Sequence, residues 1–254
     1  MNAQERRSPQ PSHSHSHSHS RRALLTSAGG LFAMGMLSSF TLAPGITLAA
    51  AMSKEARDKL SPDQIIDALK QGNERFRNGK MRGQDYLAQA KASAPGQYPV
   101  AAILSCIDSR APAEIILDAG IGDVFNARVA GNIVNDDMLG SLEFACALAG
   151  AKLIVVMGHT NCGAIKGAID DAKLGELTGL LAKIKPAIQA TQYTGERSSK
   201  NYAFVDAVAK SNVRLGLDEI RQRSDVLAGL EKDGKIKIAG AMYSLASGQV
   251  DFLA

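Results

Sequence analysis

Two stretches, "YPVAAILSC" ending at Cys106 and "KLIVVMGH" ending at His159, are apolar at almost every position and too short for independent helices. A strand with one wet face alternates apolar and polar residues, whereas these runs demand cover on both faces. That demand confines the chain to a sheet layered with helices.

The remaining segments supply both. "DVFNARVAGN" from Asp123 reads as a further strand, and "GSLEFACALAGA" as a helix with Leu142, Cys146 and Ala149 on one face. "NCGAIKGAIDDA" opens another helix, and the polar loop "TQYTGERSSKN" precedes a long one in which Val213, Leu217 and Ile220 fall at i, i+4 and i+7. "GKIKIAGAMYSLASGQVDFL" gives a strand, a turn at Ser247-Gly248 and a short second strand. Residues 53–80 carry helical spacing, with Ser61-Pro62-Asp63-Gln64 as a start signal and Ile65, Ile66 and Leu69 as the apolar face. The expected fold is α/β: a mainly parallel central sheet flanked by helices, with an N-terminal helical segment.

The first 51 residues read differently. A polar, basic front with His13, His15, His17 and His19 alternating with serine gives way to an apolar run from Ala23 to about Leu42, then to small residues. This is the layout of an export signal. Ser20-Arg21-Arg22-Ala23-Leu24-Leu25-Thr26 resembles the twin-arginine signal with which bacteria export folded proteins, and Ala49-Ala50-Ala51 offers a cleavage site before Met52. Three glycines and Ser27 weaken the run as a spanning anchor. The histidine tract could bind metal, but as low-complexity sequence it is expected to leave with the signal. The domain reading is therefore 1–51 as signal and 52–254 as one globular domain, periplasmic or secreted, delivered by the twin-arginine machinery and not inserted in the membrane after cleavage.

Arg6, Arg7, Arg21 and Arg22 against Glu5 account for three of the four formal positive charges, so the mature part is near neutral. With 5% aromatic residues and no basic stripe, a nucleic-acid surface has no support. Three cysteines pose a problem in an oxidising compartment, where an odd count leaves a free thiol. Tying two of them to a metal before export removes most of it.

In open α/β sheets, functional groups gather at the carboxyl ends of strands. Cys106 follows one apolar run, and His159 and Cys162 follow another. The 53 residues between Cys106 and His159 leave room for a strand, a helix and their loops, so two adjacent strands can bring the three together. Two thiolates and an imidazole suit tetrahedral zinc, and three protein ligands leave a fourth position open for water. Cys162 stands where the strand turns into a helix, so its thiolate is expected to feel that helix's positive end. Asp108 and Arg110 lie beside the first ligand, while Cys146 reads as a buried, inert helix residue.

Cys106-Ile107-Asp108-Ser109-Arg110, Arg128-Val129-Ala130-Gly131-Asn132 and His159-Thr160-Asn161-Cys162-Gly163 resemble the successive signatures of β-class carbonic anhydrases. The likeness covers about residues 60–254. It implies one zinc per chain on Cys106, His159 and Cys162, and reversible hydration of carbon dioxide to bicarbonate by zinc-bound hydroxide. It also implies Asp108 and Arg110 as a catalytic pair, with Asp108 able to become a fourth zinc ligand in a closed state. Gln97 matches a substrate-orienting glutamine that reaches the neighbouring subunit, which implies a homodimer or tetramer. Phe125, Ala130, Gly131, Phe144 and Gly163 match the substrate pocket, with Phe144 at a position often tyrosine. Members with a bicarbonate-controlled closed state carry a tryptophan where Ile103 stands, and this chain has no tryptophan, which argues against that control.

Other readings make different demands. A same-fold hydrolase of carbon disulfide or carbonyl sulfide would use the same ligands, and a noncatalytic zinc protein would not need Asp108 and Arg110. A thiol-disulfide enzyme would need a Cys-x-x-Cys pair, which is missing, and Gly120-x-Gly122 is only a fragment of a nucleotide loop. Beyond residue 51, His159 is the only histidine. A histidine proton shuttle is therefore ruled out, leaving external buffer, a carboxylate or a tyrosine.

Overall fold

A computed structural model describes residues 52–253. The histidine tract, the twin-arginine stretch and the cleavage site lie outside the described residues. The elements run α1 (Lys54–Asp58), α2 (Pro62–Arg77), α3 (Tyr86–Ser93), β1 (Ala101–Ser105), α4 (Ala113–Ile116), β2 (Val124–Arg128), α5 (Asp136–Glu143) and β3 (Leu153–His159). They continue with α6 (Gly163–Ile169), α7 (Gly175–Ala182), α8 (Lys185–Ala190), α9 (Tyr202–Arg223), α10 (Asp225–Lys232), β4 (Lys237–Tyr243) and β5 (Val250–Phe252). None of these helices is long and apolar enough to cross a membrane.

The helical spacing over 53–80 resolves into two helices, the second opening at the Ser61-Pro62-Asp63-Gln64 start signal. Ser61 sits in extended backbone as the N-cap of α2, and it exchanges hydrogen bonds with Gln64 in a capping box. Pro62 cannot donate to a preceding turn and keeps Ser61 extended, so α1 must end first. Ile65, Ile66 and Leu69 are buried, as their spacing requires.

The five strands lie in the order β2-β1-β3-β4-β5. The first three pairings are parallel and only β4 with β5 is antiparallel. Every residue of β1 and β3 is buried, and the period-two alternation divides them between two cores. Ile103, Leu153, Val155 and Met157 pack against α2 and α4 through Ile65, Leu69 and Ile116. Leu104, Ile154 and Val156 face the other way, toward α5, α9 and α10 through Leu142, Val213 and Leu227. Each such side chain contributes roughly 1.5–3 kcal/mol by leaving water, which is why the runs are apolar without interruption.

After α5 the chain widens into a π-helical stretch, Phe144–Leu148. Cys146 is buried there beside Leu142, while Phe144 and Leu148 stand exposed. A third core, under α6, α8 and the first half of α9, collects Ile165, Ile184, Phe204 and Val208 together with Cys106 and Cys162. The carboxyl ends of β1 and β3 are thus gripped from the side by α9.

Candidate metal centre

β1 and β3 are adjacent and parallel, so their carboxyl ends arrive at the same edge of the sheet. Cys106 leaves β1 there, His159 closes β3, and Cys162 is the N-cap of α6. All three are buried, and one ligand atom from each lies within 4.8 Å of the others. The two sulfurs are 4.0 Å apart. That is far beyond a disulfide bond and close to the ~3.8 Å that two sulfurs on a tetrahedral zinc would show.

His159 settles its own tautomer. Nδ1 lies 2.9 Å from the Thr160 carbonyl oxygen, which can only accept, so Nδ1 carries the proton and Nε2 the lone pair. Among the described residues Nε2 is buried without a hydrogen-bond partner. A buried lone pair left unpaired is expensive, and a metal shared with the two sulfurs is what it lacks. The donor set therefore fits zinc, with Cys106, His159 and Cys162 as its holders.

The thiols share a proton in the metal-free pair. Cys162 keeps it, pushed upward by this sharing and by burial, and Cys106 is correspondingly lowered. The Gly131 N–H, 3.3 Å from Cys106 Sγ, adds to the lowering. The helix end expected from the sequence to act on Cys162 is one influence among several. The amides of Ala164 and Ile165 act to lower it, but the shared proton and burial outweigh them. Burial opposes a charge on His159, the neighbouring Cys106 outweighs it, and the net direction is upward.

Asp108 stands at the mouth, its Oδ2 3.9 Å from His159 Nε2. Arg110 donates to it from Nε, Nη2 and the backbone N–H at 2.8–2.9 Å. These bonds hold the carboxyl well below the usual range despite partial burial.

Arg128, at the end of β2, acts from behind. Its Nε donates to the Cys106 carbonyl at 2.9 Å and its Nη2 to the Asp108 carbonyl at 2.6 Å. One planar fork thereby fixes the loop bearing both the first ligand and the acid. The sequence assigned Arg128 no role of its own; its signals were a charged residue closing a strand and its place at the head of the Arg128–Asn132 signature. Two further supports come from α9: Asp206 accepts from the Asn161 N–H, and Asn212 donates to the Gly131 carbonyl. Neither has a local signal, since an isolated polar residue on an amphipathic helix is ordinary.

The other candidate residues divide. Gly131 adopts φ +68° in a short 3-10 turn after Ala130, which aims its N–H at Cys106, and Gly163 opens α6 directly after Cys162. Phe125 and Phe144 meet edge to face at 6.2 Å. They line an open groove of about 490 Å³ beside β2 whose walls do not include the three metal-ligating residues. A second groove, of about 550 Å³, is lined by Ile115, Ile121 and Val124, and Arg128 borders both. Gln97 is exposed on its own chain.

Fold and donor set together define an α/β protein with a mixed sulfur and nitrogen metal site at the carboxyl edge of a parallel sheet. The sequence model of the family described as carbonic anhydrase matches residues 101–250. "Carbonic anhydrase 2" of Mycobacterium tuberculosis is 34% identical over 195 residues, spanning 74% of this chain and 91% of that protein. A carbonic anhydrase of Mycolicibacterium smegmatis is 33% identical, spanning 75% and 93%. Among solved structures, a β-carbonic anhydrase of Aspergillus fumigatus superposes with a TM-score of 0.58 at 28% identity, covering 75% of this chain and 91% of that one. The chain belongs to the β-carbonic anhydrase family.

Proposed function

We propose that this chain is a zinc-dependent carbonate dehydratase that interconverts carbon dioxide and water with bicarbonate and a proton. The observation that carries the reading is the convergence of three buried ligand atoms within 4.8 Å beside a carboxylate that Arg110 keeps ionised. Zinc, when bound, supplies the Lewis acidity that lowers the pKa of a water in the open fourth position.

The chain's own residues do the rest. An ionised Asp108 has no proton to give and can only accept, so it draws a water O–H toward Oδ2 and leaves a lone pair free to meet the carbon of carbon dioxide. Arg110 keeps Asp108 in that state, and Arg128 fixes the backbone on which Asp108 and Cys106 stand. Gly131 and Gly163, which carry no side chain, leave room beside Cys106 and Cys162, and Ala130 adds only a methyl group next to Gly131. Asp108, whose Oδ2 lies 3.9 Å from His159 Nε2, is the residue that would become the fourth ligand in a closed state.

A second copy of the chain is the partner assigned to β2. Among the described residues this strand is the edge of the sheet, paired only with β1 and flanked by two grooves, with Phe144 exposed beside it. Uncovered edges of this kind invite pairing. A homodimer or tetramer would cover it, place Phe125 and Phe144 at the join and let the exposed Gln97 serve the neighbouring site. Two β-carbonic anhydrases of Sordaria macrospora, one of which superposes with a TM-score of 0.59 at 25% identity, are tetrameric. Export through the twin-arginine route to the periplasm or medium rests on residues 1–51 of the sequence.

The test is stopped-flow hydration of carbon dioxide by the zinc-loaded protein, with Cys162→Ser as the control lacking a ligand. Fast hydration that vanishes in the control is the expected result. Zinc binding without hydration, together with turnover of carbon disulfide or carbonyl sulfide, would transfer the site to a sulfur-substrate hydrolase.

A further inference from the structure

The four-residue link from His159 to Cys162 holds two of the three ligands. Asn161 sits at φ +55°, the left-handed region, which asparagine enters more readily than other non-glycine residues when its side chain bonds locally. Among the described residues its Oδ1 is buried without a hydrogen-bond partner, so that local support is missing and the link is held from outside. Thr160 is tied on one side, its N–H donating to the Tyr243 carbonyl at 2.9 Å and its Oγ1 accepting from the Leu245 N–H at 3.0 Å. On the other side the restraint on the Asn161 N–H is a single carboxylate oxygen, Asp206 Oδ1, at 2.7 Å across 45 residues of sequence.

We infer that Asp206 is a positioning residue for the metal centre, holding the kinked Asn161 so that His159 and Cys162 point at one place. Its own position is firmly set. Val205, Val208 and Ala209, around it on α9, are buried in the core that also contains Cys106 and Cys162. The same helix supports the first ligand through Asn212, whose Nδ2 donates at 2.8 Å to the carbonyl of Gly131, the residue whose N–H faces Cys106 Sγ. One helix therefore braces the links on both sides of the ligand set while supplying none of the three metal-ligating residues. Charge-assisted bonds to a backbone N–H are the stronger kind, and partners one step removed from a metal typically hold 10- to 100-fold in affinity or activity.

The inference rests on Cys106, His159 and Cys162 being the zinc ligands, and its test is independent of turnover. Asp206→Ala and Asp206→Asn are compared with the unaltered full chain for zinc retention against a competing chelator and for the visible spectrum of the cobalt(II)-substituted protein. Asp206→Ala is expected to lose zinc ~10- to 100-fold more readily and to shift the cobalt bands. Asp206→Asn, which retains an acceptor oxygen, should recover most of both. A folded Asp206→Ala chain with unaltered retention and spectrum would overturn the inference. Should that variant fail to fold, Asp206→Ser makes the same deletion with a side chain too short to reach Asn161 and is read by the same two criteria. In the zinc-loaded unaltered protein, the Asn161 amide must also exchange slowly with solvent deuterium; rapid exchange would equally refute the bond. Because neither readout measures hydration, a chain that binds zinc through this brace yet hydrates no carbon dioxide would leave the inference standing and refute only the proposed activity.

Discussion

Arg110 grips both oxygens of the Asp108 carboxylate, with Nε and the backbone N–H on Oδ1 at 2.9 Å and Nη2 on Oδ2 at 2.8 Å. The grip depresses the folded pKa of Asp108 below its ordinary 3.8. A depressed carboxylate stabilises the fold above its unfolded value and loses that contribution only as pH falls through the folded one. Protonation of Asp108 therefore cannot produce a loss of activity above about pH 4 while Arg110 is in place. Arg110→Ala should move the acid limb of the turnover profile upward, and an unmoved limb would detach Arg110 from this role.

Asp108→Asn removes the acceptor charge without altering a ligand. Zinc content should stay at that of the unaltered protein while turnover falls ~10²- to 10⁴-fold. Metal analysis and stopped-flow kinetics on the same preparation decide it, and unchanged turnover would take Asp108 out of the mechanism.

Zinc has to displace the proton that Cys106 and Cys162 share. Apparent affinity should consequently weaken about tenfold per pH unit on acidification for each proton displaced, as read by chelator competition between about pH 8 and about pH 6. Cys146, pushed up to about 12 by burial, should resist alkylation with or without zinc, whereas Cys106 should label once zinc is removed.

Arg128→Lys keeps the charge but replaces a planar fork by a shorter, freely turning ammonium, so the fixed two-point hold on the carbonyls of Cys106 and Asp108 is lost. A fall in turnover of ~10-fold or more is expected, with circular dichroism unchanged. Full activity in the lysine variant would show that the fork is dispensable.

Gly131→Ala places a Cβ 2.7 Å from Ile184 Cδ1 on a residue at φ +68°. The tip of Ile184 can yield, but the backbone strain remains. A loss of roughly 1–3 kcal/mol in thermal or denaturant unfolding is predicted, together with weaker zinc retention because the N–H on Cys106 moves.

With His159 engaged and no other histidine beyond residue 51, turnover should rise with buffer concentration and approach a plateau. Rapid turnover independent of buffer would require a relay through a carboxylate or tyrosine instead.

The chemistry of the centre was legible in the chain because it depends on local patterns. Apolar runs without alternation required a doubly covered sheet, and strand ends located Cys106, His159 and Cys162, since where a strand stops is written in its own residues. Capping at Ser61 and Gln64, which starts α2, was equally local. Strand order was not legible: nothing in "DVFNARVAGN" says that β2 is the edge, because pairing is decided by which strand packs beside which. The supports escaped for the same reason. Arg128 meets Cys106 across 22 residues, Asp206 meets Asn161 across 45 and Asn212 meets Gly131 across 81. The sequence by itself determined which atoms could bind a metal, because ligand chemistry belongs to the residue; the tertiary structure alone decided what holds them in place, because a hydrogen bond between distant segments exists only once the sheet and α9 have packed together.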